Sequence, residues 1–126
     1  MIFEHFAVNV DKVRERVQWY VENIGLKVVS AQPEAPHMTF LADTSGRVVL
    51  EVYHRADAPL TDFSQQHPLV FHLAFVSEKA QADSHRLQQQ GATFFEEIRK
   101  EDGSCLVMLR DPWGMPLQLC QRTHKW

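Results

Sequence analysis

The residues of this chain that could do chemistry recur as a pattern: His5 and Glu51 are followed sixty-seven residues later by His72 and Gln118. Two neutral imidazoles, one carboxylate and one amide oxygen make a nitrogen and oxygen donor set. Such a set suits Zn, Ni, Co, Mn or Fe(II) and leaves positions for water or substrate. A divalent ion with Glu51 as its single anionic ligand keeps net positive charge, which polarises a carbonyl or stabilises an enolate. As the one carboxylate of the set, Glu51 is also the candidate catalytic base. Each residue has a plainer alternative. His5 and His72 read singly as partly exposed strand histidines, Glu51 as the partner of Arg47 or Arg110, and Gln118 as an ordinary mid-strand amide. What favours a site is the symmetric placement of all four.

The elements that must position these residues come in two similar runs. Phe3 to Val10 alternates as a half-buried strand, with His5 on the face of Phe3 and Ala7. Asp11 is the expected cap of a helix whose face is Val13, Val17, Tyr20, Val21 and Ile24, closed by Gly25. Strands are expected at Leu26–Ser30, Met38–Ala42 and Arg47–His54, with a hairpin turn at Asp43–Gly46. After a polar, proline-bearing connector over 56–68, the order begins again. Leu69–Val76 reads as a strand and Ser77 as the cap of a helix ending near Gln90, with Gly91 in the place Gly25 held. Strands follow at Ala92–Glu97, Cys105–Arg110 and Met115–Arg122, with Asp102-Gly103 as a hairpin turn.

The repeat is numerical as well as architectural. His5 to Glu51 and His72 to Gln118 each span 46 residues, and Gly25/Gly91 and Gly46/Gly114 keep the same offset within one residue. An internal duplication follows, with modules over 1–55 and 69–122 of one 126-residue domain. The predicted class is α+β, two paired βαβββ modules forming a cupped mixed β-sheet. If each module curls into a half-cup, a pseudo-two-fold brings the four polar side chains to one centre.

Composition narrows the partners. A 126-residue chain buries about two-thirds of its unfolded surface without staples. A formal charge of -3 with scattered Lys and Arg argues against nucleic acid. No run of about 18 apolar residues suggests a membrane span. Met1 to Val10 has no basic leader or small-residue cleavage site, so a cytoplasmic home is expected. Cys105 and Cys120, without CxxC spacing, read as small buried hydrophobes in a reducing compartment.

Specific runs carry a family resemblance. Glu4-His5-Phe6-Ala7-Val8-Asn9-Val10, Tyr20 with Asn23-Ile24-Gly25-Leu26, and above all Asp111-Pro112-Trp113-Gly114-Met115-Pro116-Leu117-Gln118-Leu119 resemble the vicinal oxygen chelate superfamily over nearly the whole chain. This is the superfamily of glyoxalase I, bleomycin-resistance proteins and extradiol dioxygenases. The resemblance implies that His5, Glu51 and His72 match the first three metal ligands of bacterial glyoxalase I. Gln118 departs from the usual glutamate, which disfavours a His-His-Glu dioxygenase and fits an enolate-forming lyase or isomerase better. The function implied is metal-dependent chemistry on a small vicinal-oxygen substrate by a homodimer. The alternatives are a metal-free binding or antibiotic-resistance module of the bleomycin-resistance type, or a ring-cleaving dioxygenase. Arg110, as anion holder, and Trp113, Tyr53, Phe3 and Met108 are the candidate substrate contacts, although aromatic and methionine residues at strand spacing are more often core.

Overall fold

The computed structural model describes residues 1–124. The chain divides into two compact units, Met1–Thr61 and Asp62–Trp126, with the boundary inside the polar connector. Each carries one helix and one four-stranded mixed sheet.

In the first unit the order is β1 (Phe6–Asn9), α1 (Val13–Asn23), β2 (Lys27–Ala31), β3 (Thr39–Ala42) and β4 (Val48–Tyr53). The sheet runs β1-β4-β3-β2, with β1 parallel to β4 and the other pairs antiparallel. Alternation sorts its faces: Leu50 and Val52 of β4, with Val8 and Leu41 beside them, are buried. Glu51 points the other way. Its register partners Ala7 and Phe40 share its face.

The cap of helix α1 falls one residue after the expected Asp11. Lys12, in the left-handed region at φ 48°, holds the N-cap position, and the Asp11 carboxylate is drawn to Arg16 instead. The buried face is also rotated, with Val13, Trp19 and Tyr20 inside and Val21 exposed. Trp19 and Tyr20 meet edge to face at 5.2 Å, and that aromatic contact outweighs a valine. The helix ends as the sequence predicts. Gly25 at φ 86° lets the amides of Ile24, Gly25 and Leu26 all reach the Tyr20 carbonyl.

The second unit repeats the order as β5 (Leu73–Val76), α2 (Ala80–Gln89), β6 (Thr93–Arg99), β7 (Cys105–Arg110) and β8 (Pro116–Gln121). Its sheet runs β5-β8-β7-β6, with β5 parallel to β8. Val107, Leu109, Leu117 and Leu119 are nearly inaccessible and form the core with Leu87 of α2. Ser77 was the expected cap of α2. Its hydroxyl instead accepts from the Lys79 amide and donates to Asp83, while the Ala80 amide is capped by the side-chain oxygen of Gln121, on β8. The connector carries a short 3₁₀ turn, Phe63–Gln65, that its polar composition did not announce.

No helix among the described residues is long and apolar enough to cross a membrane. Both cysteines are free and buried, and burial pushes their thiols above the ordinary range.

Candidate functional site

In the first unit the central strand β4 presents Glu51 on the face away from the buried Leu50 and Val52. Only 7% of Glu51 is accessible, so its charge needs a partner. That partner is His5, just before β1. Because β1 runs parallel to β4 with Ala7 beside Glu51, the chain two residues upstream lies within reach, and His5 Nε2 stands 2.9 Å from Glu51 Oε2. The Phe40 ring, on β3, meets the His5 ring edge to face at 5.4 Å and fixes its plane. On the other side of the ring, His5 Nδ1 meets the Glu4 carboxylate.

This arrangement tests whether a metal fits. Both ring nitrogens of His5 face carboxylate oxygens, yet a neutral imidazole carries only one N–H. In the neutral ring one of the two contacts is therefore not an N–H donation. Two donors bound at about 2.0–2.2 Å to one divalent ion sit roughly 3 Å apart when they subtend a right angle. The Nε2 to Oε2 separation of 2.9 Å lies near that spacing and is equally the length of an N–H···O hydrogen bond. Glu4 on the remote nitrogen is the outer carboxylate that metal-bound histidines commonly have. His5 and Glu51 supply two donors of the kinds that a divalent ion takes.

The second unit places its residues at the same register. Ala74 pairs with Gln118 across β5 and β8 as Ala7 pairs with Glu51, and Met108 pairs with Gln118 as Phe40 pairs with Glu51. His72 lies two residues before Ala74, as His5 lies before Ala7. Its Nδ1 stands 3.0 Å from the Pro68 carbonyl oxygen. A carbonyl only accepts, so Nδ1 carries the proton and Nε2 keeps a lone pair, the form a ligand needs. Gln118 Oε1 accepts a weak bond from the Cys120 thiol at 3.3 Å. Among the described residues, no group of three or more His, Cys, Asp or Glu side chains stands in a metal-holding cluster.

The candidate substrate contacts fall in different settings. Tyr53 lines a cavity beside Glu51 with Met38, Arg55, Asp57 and Ala58. Asn9 shapes its wall, accepting from the Arg55 amide at 2.7 Å and donating to the Arg55 and Ala58 carbonyls. Phe3 is exposed beneath the Arg47 guanidinium, 5.6 Å from the centroid of its ring. Met108 is buried on the Gln118 face. Trp113 sits in the turn before β8, its amide bonded to the Asp111 carboxylate. Arg110 uses its guanidinium on three backbone carbonyls, those of Phe63, Gln66 and Gly114. Sequence reasoning missed Glu4, Met38, Phe40 and Asn9. The signals available were the adjacency of Glu4 to His5 and an asparagine within an apolar strand.

The family model described as Glyoxalase/Bleomycin resistance protein/Dioxygenase superfamily matches residues 2–119. The chain belongs to this superfamily. Solved structures of the glyoxalase fold agree at low identity. A glyoxalase family protein from Enterococcus faecalis is 24% identical with a TM-score of 0.70, covering 94% of this chain and 96% of that one. TnmS3, an antibiotic binding protein from Streptomyces sp. CB03234, is 19% identical with a TM-score of 0.69, covering 98% and 97%. Lactoylglutathione lyase from Agrobacterium tumefaciens is 20% identical with a TM-score of 0.63, covering 94% and 92%. At these identities the likeness is one of fold. None of the curated proteins matches the sequence.

Proposed function

We propose that this glyoxalase-superfamily chain is a divalent-metal-dependent enzyme of the lyase or isomerase type, with His5, Glu51, His72 and Gln118 as the metal-holding residues. The observation that carries the reading is the His5 and Glu51 pair, whose 2.9 Å spacing suits two donors on one ion. Support comes from the matched register of His72 and Gln118 in the second unit. The ion, when bound, would polarise two adjacent substrate oxygens and lower the cost of an enolate.

The residues of the chain supply the rest. Glu51, the sole carboxylate of the set and only 7% accessible, accepts the proton removed from substrate carbon. Phe40 holds the His5 ring in plane, and Glu4 holds its Nδ1. Tyr53 and Met38 offer an apolar wall to a small substrate in the cavity beside Glu51. The active form is taken as a cytoplasmic homodimer. The large apolar residues exposed on and before edge strand β5, Leu69, Val70 and Val76, support such an association.

A second reading rests on the same cavity. Tyr53 and Met38 could hold an aromatic or drug-like molecule without turnover, as in a metal-free resistance module. Elemental analysis separates the two. Stoichiometric metal in the purified protein, lost in His5→Ala and in His72→Ala, supports the enzyme. A wild type that is metal-free and takes up no added Ni, Zn or Mn overturns it.

A further inference from the structure

Arg110 is the charged residue at the end of β7, one position before the closing turn. Its Nη1 donates to the Phe63 carbonyl at 2.7 Å and to the Gly114 carbonyl at 3.0 Å, and its Nη2 donates to the Gln66 carbonyl at 2.6 Å. The guanidinium also stands 5.8 Å from the centroid of the Phe95 ring. These contacts bind two backbone segments to one rigid, planar cation.

Both segments lead to candidate ligands. The strap held at Phe63 and Gln66 runs two residues on to Pro68, whose carbonyl accepts the His72 Nδ1 proton at 3.0 Å. The turn held at Gly114 is closed by Asp111, whose buried carboxylate accepts from the Trp113 and Met115 amides, and it feeds directly into β8 and Gln118. Strap and turn also touch directly. A Cβ on Gly114 would come within 2.6 Å of Ser64 Cβ, so the two backbones pass as closely as glycine allows. The strap is further tied by Phe63 on Phe71 at 5.6 Å and by His67 against Phe95 at 5.5 Å.

We infer that Arg110 is a positioning residue for the proposed ligand His72: by clasping strap 63–68 to turn 111–114 it fixes the Pro68 carbonyl, and through it the tautomer and aim of His72. The inference rests on the reading of His72 as a ligand. A substrate anion competing for this guanidinium would have to displace three backbone carbonyls, so positioning is the role that its contacts define. Outer partners of this kind typically change metal affinity by about 10–100-fold when removed.

The test uses the full-length chain stripped of metal. Ring ¹⁵N resonances of His72 report which nitrogen is protonated, independently of any turnover. Wild type is expected to show the Nδ1–H form, and Arg110→Ala a mixture shifted toward Nε2–H. Arg110→Lys, which keeps the charge but cannot reach three carbonyls at once, is expected to lie between them. Should Arg110→Ala not fold, Arg110→Lys alone decides. An unchanged His72 tautomer in a folded Arg110 variant overturns the inference. Titration with Ni or Zn then reads the consequence, a roughly ten-fold or greater loss of affinity in Arg110→Ala. A wild type that shows the Nδ1–H form but takes up no metal defeats the proposed function and leaves the clasp standing.

Discussion

His5 Nε2 and Glu51 Oε2 lie 2.9 Å apart, joining a residue just before the first strand to the centre of the fourth. In the metal-free protein this contact partners a carboxylate that is 7% accessible. His5→Ala is therefore expected to destabilise the chelator-treated protein by about 1–2 kcal/mol, since a buried acceptor loses its donor. A double-mutant cycle with Glu51→Ala in urea checks this, with a coupling energy of roughly 0.5–1.5 kcal/mol expected. Additive single effects would show that the pair does not interact.

Gly114 offers a steric test of the clasp. At φ 88° it lies where side chains are strained, and an added Cβ would meet Ser64. Gly114→Ala is expected to cost about 1–3 kcal/mol. Gly46, at φ 85° but with nothing within 4 Å, supplies the control: Gly46→Ala should cost about 1 kcal/mol, the backbone contribution alone. Equal midpoints in urea for the two variants would contradict the contact.

Acid sensitivity is set in part by Asp11. Its hydrogen bond to Arg16 holds the carboxyl below its ordinary value near 3.8, against a smaller opposing effect of burial. A depressed folded-state value gives stability that is complete above the ordinary value and is lost as pH falls through the lowered one. The Asp11 side chain is 48% exposed, so solvent screening limits the contribution to about 0.5 kcal/mol. Asp11→Asn should be less stable than wild type by that amount at about pH 6, with the gap closing toward about pH 2, measured by urea unfolding.

The thiols should be quiet. Cys105 and Cys120 are each 5% accessible, and burial, the main cause, raises both above the usual thiol range. At about pH 8 the native protein is expected to alkylate with iodoacetamide at least ten-fold more slowly than the urea-unfolded chain. Intact mass over time reads both rates. Rapid double labelling of the native protein would contradict the buried placement.

Much of this architecture is legible in sequence because the repeated element order doubles each signal. Alternation in the first strand put His5 on the face of Ala7, the register partner of Glu51, and Gly25 marked the end of α1 at φ 86°. What local reasoning could not supply were contacts made across long separations. Asp11 and Ser77 have the right chemistry for caps, but Arg16 claims the first, and Gln121, 41 residues from Ala80, performs the task expected of the second. Arg110 carries a charge beside a turn and so suggests an anion contact from sequence. The three carbonyls that take up its donors depend on how strap 63–66 is laid down, which polar composition does not encode.

The cap on α2 bears on how the chain acquires its shape. The Ala80 amide is satisfied by Gln121, in the last strand, so the helix start remains incompletely bonded until that strand is docked parallel to β5. The second unit is thus completed only with β8 in place, whereas the first has every strand of its sheet by Tyr53. Amide exchange near Ala80 should therefore report on the docking of β8 rather than on the helix itself.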